Sequence, residues 1–374
     1  MKIQNNQLTT LCSKRIKNLI KILVLHIFIY SAIVSSADNE ILELKRQYSL
    51  HQNKWPKIET TNEIQVDYLT PLKINNEQNP LSKLGNKLFF DPQLSRNRTV
   101  SCSSCHESRL FFQDSRPKAI GINGKKGLRN TLSIVGIAHW KNFFWDGRAK
   151  TAVQQALMPI SNPLEMDLEL KIALNRVNTD KTYQTFIKKA FKKKELTLTE
   201  MALAIVEFEK TFPPPDTLFQ QFITQVQNNP KQAVTMLNDN QLNGLHLFRT
   251  KAKCMTCHNG ALLSDSDFHV TGLHAYGRPS QDLGRYIFTN KNSDIGKFRT
   301  PSLLGLKRTA PWMHNGVISN FNGIVNFYNM GGARPKPGKK YKDDPNFPQT
   351  TDLLIPLGLT KKERAQLAEF LKIL

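Results

Sequence analysis

Cys102-Ser103-Ser104-Cys105-His106 and, in the second half of the chain, Cys254-Met255-Thr256-Cys257-His258 are the stretches on which the reading of these 374 residues turns. Each is a pair of cysteines three apart with histidine immediately after. Two cysteines at that spacing reach the two vinyl groups of one porphyrin and close thioethers, and the adjacent histidine falls beneath the iron as an axial ligand. A zinc ribbon also uses paired cysteines, but histidine directly after both pairs would be unneeded. A thioredoxin-like redox pair has no use for two copies. Disulfides remain chemically open to an exported chain. The fifth cysteine, Cys12, lies far from either motif. The expectation is two covalently bound c-type haems, held by Cys102 and Cys105 and by Cys254 and Cys257, with His106 and His258 as iron ligands.

Toward the N-terminus, Lys2, Lys14, Arg15 and Lys17 precede an apolar run from Leu19 to Val34, broken only by Lys21 and His26, and Ser35-Ser36-Ala37 follows. A basic lead, an apolar stretch and small residues are the order of a secretory signal peptide, here 1–37, with cleavage expected after Ala37. The alternative is an uncleaved inner-membrane anchor, for which the run is at the short end. The expected location is the periplasm. The chain carries 52 Lys/Arg against 30 Asp/Glu, a formal charge of +22; five of the positive charges and no acids lie in residues 1–37, which leaves +17. Such a surface favours acidic partners in a salt-dependent way, although a lysine- and asparagine-rich genome would give the same composition. Export argues against nucleic acid as the partner.

The length suits two domains. Residues 38–75 read as a polar N-terminal arm, 76–225 as a first haem domain, 226–235 as a linker and 236–374 as a second haem domain. Phe212-Pro213-Pro214-Pro215-Asp216 closes a helical stretch, because proline cannot continue one. Gln225 to Lys231 is polar, ends in Asn-Pro and reads as a loop. The halves form a loose repeat: Leu84-Gly85-Asn86-Lys87-Leu88-Phe89-Phe90 precedes the first motif, and Leu242-Asn243-Gly244-Leu245-His246-Leu247-Phe248 the second. The expected fold is mainly α, two cytochrome c-like haem domains packed around an inter-haem interface. Helices are expected near Val153–Met158, Glu195–Phe208 and Phe321–Tyr328. The C-terminal helix is the best marked: Thr360 and Glu363 form a capping box, and Leu359, Leu367, Phe370, Leu371 and Leu374 supply an apolar face. Strand signals are few.

Around the motifs lie further segments in a fixed order. Leu88-Phe89-Phe90-Asp91-Pro92-Gln93-Leu94-Ser95 is followed by Gly127-Leu128-Arg129-Asn130-Thr131, Phe144-Trp145-Asp146-Gly147-Arg148-Ala149 and Pro159-Ile160-Ser161-Asn162-Pro163-Leu164-Glu165-Met166. In the second half come Phe298-Arg299-Thr300-Pro301-Ser302-Leu303, Thr309-Ala310-Pro311-Trp312-Met313-His314-Asn315-Gly316 and Phe327-Tyr328-Asn329-Met330-Gly331-Gly332. Together they resemble the bacterial dihaem cytochrome c peroxidase/MauG family over most of the chain. The resemblance implies a peroxide-cleaving N-terminal haem over His106, with Glu165 as distal acid/base and Gln155 as a distal hydrogen-bonding partner. It implies that Trp145 lies between the haems and helps electrons cross. It also implies an inter-haem calcium site made by Asn130 and the carbonyls of Thr309 and Pro311, hard oxygen ligands that suit this ion. A small cytochrome c, a cupredoxin or a quinol would be the electron donor, and a homodimer follows by the same analogy.

The chain departs from the peroxidase pattern at two positions. Where many members place a histidine that caps the peroxide haem, this chain has Ile122, which cannot bind iron. His139 is too near Trp145 to replace it. The N-terminal haem is therefore expected to be five-coordinate or water-bound when fully oxidised. Where the peroxidases place a methionine as distal ligand of the C-terminal haem, this chain has Tyr328, as MauG-like members do; Met330 and Met313 are the alternatives. Three activities follow as expectations. The first is reduction of hydrogen peroxide with electrons passed through the C-terminal haem. The second is MauG-like oxidation of a partner protein or small molecule with peroxide-derived oxidising equivalents. The third is plain electron transfer, against which Ile122, Glu165 and Gln155 argue.

Overall fold

Asn79 opens α1 (Pro80–Phe89) with a capping box: its side chain accepts from the Ser82 amide, and the Ser82 side chain accepts from its own. Pro80 fills the first helical position, where no N–H is needed. The helix buries Leu84, Leu88 and Phe89. After it come α2 (Ala152–Ser161), α3 (Leu170–Thr179), α4 (Lys181–Phe191), α5 (Leu198–Glu209), α6 (Leu218–Asn228), α7 (Asp239–Arg249), α8 (Phe321–Asn329) and α9 (Lys361–Leu371). The expected capping box of Thr360 and Glu363 opens α9. The computed structural model describes residues 39–374; the expected signal peptide lies outside them. Among the described residues no helix is long and apolar enough to cross a membrane.

The described residues fall into two compact units, 39–55 and 56–374. In the first, residues 39–48 are helical, the rings of Tyr48 and Trp55 lie 4.7 Å apart, and the Trp55 indole donates to the Leu50 carbonyl at 2.8 Å.

The larger unit carries the repeat in three dimensions. α1 crosses α5 at Gly85, so closely that a Cβ there would collide with the carbonyl oxygen of Ala204. α7 crosses α9 at Gly244, where a Cβ would collide with the carbonyl oxygen of Gln366. In both halves a phenylalanine four residues after the glycine, Phe89 or Phe248, is fully buried beside the crossing. Phe89 meets Phe208 and Phe212 at 5.4 and 5.5 Å, and Phe212 stacks on Phe112 at 3.7 Å. Phe248 meets Phe370 at 5.3 Å, which also meets Phe219 at 6.0 Å. Each fully buried aromatic contributes roughly 1.5–3 kcal/mol of apolar transfer, so these clusters hold the helix pairs together.

Between the helix pairs run long segments with little regular structure. One two-stranded antiparallel sheet forms among the described residues, β1 (Phe268–His269) with β2 (Phe298–Arg299). Loops of such length are uncommon unless they carry function. Here they wrap the two Cys-x-x-Cys-His turns.

The structure adds helices where none was expected. α3 and α4 run through largely polar sequence that buries only Ala173 and Val177, and Tyr183 and Ile187. Gln225 to Lys231, expected as a loop, instead completes α6 and opens a short helix, Pro230–Val234. Asn229 alone breaks the two, ending one and capping the next. Phe219, Phe222, Ile223 and Val226 give α6 the buried face that outweighs its polar composition.

Candidate active site

The two Cys-x-x-Cys-His turns share one geometry. Cys102–Ser104 and Cys254–Thr256 are single 3-10 turns. The amides of His106 and His258 donate to the carbonyls of Cys102 and Cys254 at 3.0 and 2.9 Å. Each imidazole then uses Nδ1 to donate to a backbone carbonyl, His106 to Phe112 at 2.8 Å and His258 to Leu263 at 2.9 Å. That bond fixes ring orientation and leaves Nε2 as the free, basic nitrogen. Burial lowers both imidazole pKa values, which keeps them neutral and ready to ligate. The carbonyl on His106 belongs to Phe112, the residue stacked on Phe212, so the α1–α5 aromatic cluster anchors this loop.

Each turn opens on a void. The one over His258 measures about 1640 Å³ and the one over His106 about 1460 Å³, both including space open to solvent at the mouth. Paired thiols, a free Nε2 and a large void at each turn fit a covalently held porphyrin.

The void over His106 is also lined by Gln155 and Glu165. Gln155 projects from α2, whose start is capped by Thr151. Its Oε1 is buried with no protein partner. Asn162 ends α2 and donates from its amide to Glu165 Oε1 at 2.7 Å. Burial pushes the Glu165 carboxyl up from its ordinary range, against the opposing pull of Arg148 and Asn162. Ile122 is fully buried, does not line this void, and donates from its backbone to the Glu165 carbonyl at 2.7 Å. His139 does not line it either; its ring lies against the Lys73 carbonyl.

The void over His258 is lined by Cys254, Cys257, Tyr328 and Met313. Tyr328 comes from α8, and burial pushes its phenol well above the ordinary range, the nearby Cys257 and Cys254 adding to the effect. Met330 is 63% exposed and stands outside the void.

Trp145 lines both voids. Its indole donates to the Asn130 carbonyl at 2.8 Å, and the Asn130 amide donates to the His314 carbonyl at 2.7 Å. Asn130 gives its side-chain NH2 to the Arg116 carbonyl, which leaves Oδ1 available. Thr309 lines the same void as Asn130, and Pro311 is buried two residues on. Cys257, Asp265 and His269 also cluster closely enough to hold a metal, but Cys257 belongs to the haem turn and Asp265 already pairs with His269 at 2.9 Å.

Sequence reasoning missed Arg299 and Trp140, which line both voids as well. The Arg299 guanidinium lies 3.7 Å from the Trp140 ring. The available signal was an arginine inside the apolar stretch Phe298-Arg299-Thr300-Pro301, which composition alone assigns to the surface.

Two helix-pair scaffolds, each presenting a Cys-x-x-Cys-His turn to a void, with Trp140 and Trp145 common to both voids, define a two-haem c-type cytochrome. Residues 79–228 match the family described as di-haem cytochrome c peroxidase. The chain is 30% identical over 319 residues to the cytochrome-c peroxidase IdrP2 of Denitromonas iodatirespirans, covering 78% of this chain and 80% of that protein. It is 29% identical over 303 residues to the methylamine utilization protein MauG of Methylorubrum extorquens, covering 79% of each. The crystal structure of a MauG-like protein associated with microbial copper homeostasis superposes with a TM-score of 0.68 at 27% identity, over 83% of this chain and 93% of that one. The chain belongs to the di-haem cytochrome c peroxidase/MauG family and is a peroxidase-type oxidoreductase.

Proposed function

We propose that this chain reduces hydrogen peroxide in the cavity over His106, with electrons entering through the haem over His258. The observation that carries the reading is the convergence of Glu165 and Gln155 on the void that His106 faces. The haem iron, when bound, supplies the redox chemistry of O–O cleavage. The polypeptide supplies proton handling and electron passage.

Cleavage requires a proton to move from one peroxide oxygen to the other. Glu165 is suited to move it. Asn162 occupies one carboxyl oxygen, which leaves the other for substrate. Burial raises the carboxyl pKa toward the working pH, where taking and returning a proton cost similar free energy. Gln155 offers its unpartnered Oε1 to a peroxide O–H. Trp145, lining both voids, gives electrons an aromatic relay. Calcium held by Asn130 Oδ1 and the carbonyls of Thr309 and Pro311 would fix the loops on either side of that relay. The net charge of +17 outside residues 1–37 favours an acidic donor, a small cytochrome c or cupredoxin, met in the periplasm after export; a quinol is the uncharged alternative.

The test mixes one equivalent of hydrogen peroxide with the fully ferric holoprotein and follows the Soret band by stopped flow. A fast change is expected without prior reduction, because Ile122 leaves the iron open. In Glu165→Gln the rate should fall about 10²–10⁴-fold, the usual contribution of a positioned acid/base. An inert wild type would sink the open-iron reading.

A second reading is MauG-like oxidation of a partner protein or small molecule. It is favoured by Tyr328 lining the C-terminal void while Met330 stands outside. A phenolate ligand lowers the haem potential and stabilises higher oxidation states. Iron would have to displace the phenol proton that burial otherwise retains. Tyr328→Phe should convert the low-spin spectrum of that haem to high spin; an unchanged spectrum removes Tyr328 as a ligand.

A further inference from the structure

Among the described residues that line both voids, Arg299 is the one with a charged side chain, and no acid matches it. It is 4% exposed. Its backbone is fixed in β2 and donates to the Trp145 carbonyl at 2.7 Å. Its Nε donates to the Phe144 carbonyl at 3.2 Å, one face of the guanidinium lies on Trp140, and Nη1 has no hydrogen-bond partner. Burial alone acts on its pKa, pushing it down to about 9; no carboxylate opposes the shift. Other buried or half-buried arginines nearby are matched: Arg129 pairs with Asp146 and Asp282 at 2.6 and 2.7 Å, and Arg148 with Asp146 at 3.0 Å.

A buried guanidinium with an empty donor is expensive, because the desolvation of the ion exceeds what one carbonyl and one aromatic face return. Packing under Trp140 therefore does not explain it. A carboxylate brought in from outside the polypeptide does. Arg299 lines both voids, each void opens on a haem turn, and a c-type haem carries two carboxylates at the edge opposite its thioethers. The planar fork of arginine matches such a group bidentately.

We infer that Arg299 binds a haem carboxylate where the two cavities meet, and that its fixed charge raises the reduction potential of the haem whose carboxylate it holds. The inference rests on the two-haem assignment and stands apart from the peroxidase reading. A positive charge close to a haem disfavours the more positive ferric state, so removing it lowers the midpoint potential.

The experiment uses the holoprotein with Arg299→Met and Arg299→Lys. Spectroelectrochemical titration reads the potential of each haem, and resonance Raman reads the propionate-bending bands. Arg299→Met is expected to lower at least one midpoint potential and to move the propionate band of the same haem. Which haem responds identifies the source of the carboxylate. Arg299→Lys, which keeps the charge and loses the fork, is expected to restore most of the potential while leaving the band displaced. Potentials and bands that match the wild type in both variants would overturn the inference. If Arg299→Met does not retain haem, Arg299→Lys decides alone: a displaced propionate band upholds the assignment and an unmoved one overturns it.

Discussion

Glu209 closes α5 with a carboxyl group that is wholly buried and has no partner at Oε2. Burial pushes its pKa up to about 8, from about 4.3 in an unfolded chain. Between those values the folded state holds a proton that the unfolded state has released. Stability is therefore full below about pH 4.3 and falls by up to about 1.4 kcal/mol per pH unit as pH rises toward 8. Glu209→Gln keeps the shape and removes the ionisation, so it should unfold at a higher temperature than wild type at pH 8, with the gap closing toward pH 5. Melting curves of the two holoproteins that run parallel across that range would show the carboxyl is relieved in some other way. The residue scale also shows where sequence reading stops. The cysteines and histidines were legible because thioether chemistry fixes their spacing. Glu165 and Gln155 were legible only by resemblance, since a glutamate after a proline and a glutamine in a helix are ordinary. Glu209 and Arg299 were not legible, because their significance is burial without a partner, a property that other parts of the chain confer.

At the scale of elements, the two glycine crossings make a paired test. Alanine is favoured over glycine inside a helix by about 1 kcal/mol, so on propensity alone Gly85→Ala and Gly244→Ala should stabilise. The Cβ would instead strike the carbonyl of Ala204 or Gln366, backbone atoms that move only if the partner helix moves. Overpacking of this kind costs roughly 1–3 kcal/mol and should win. The damage should be local. Gly85→Ala displaces α1 from α5 and, through Phe89, Phe212 and Phe112, disturbs the carbonyl that orients His106. Gly244→Ala should act instead on the pair that shares Phe248 and Phe370. Lower melting points, with spectral change confined to a different haem in each variant, are the expected result. Stabilisation of either variant would mean the crossing can relax. This repeat was visible in the sequence as a Leu-Phe-bearing stretch, Leu84 to Phe90 and Leu242 to Phe248, before each haem motif. α3 and α4 were not, because each buries only two apolar residues, and α6 was masked by its glutamines although Phe219, Phe222, Ile223 and Val226 line one helical face.

Across the whole molecule, the halves of the 56–374 unit are joined by polar contacts of residues beside the void over His106. Arg129 of the first half grips Asp282 of the second, and Arg285 of the second reaches the Asp146 carbonyl of the first. Those pairs are shielded from solvent and little affected by salt. The +17 excess of basic over acidic residues outside residues 1–37 is a different matter, because those charges lie mostly at the surface. Fields from exposed charges act on approach, accelerating encounter with an oppositely charged partner by about 10–10³-fold, and fade once the Debye length shrinks to roughly 10 Å at 0.1 M salt. Hydrogen peroxide is uncharged, so raising ionic strength should leave the peroxide dependence of turnover intact. It should lower kcat/KM for an acidic cytochrome or cupredoxin at least tenfold between low and high salt while kcat changes little. A quinol donor should show no such slope. If an acidic protein donor were equally insensitive to salt, the basic surface would be a matter of composition and docking would rest on apolar contact alone.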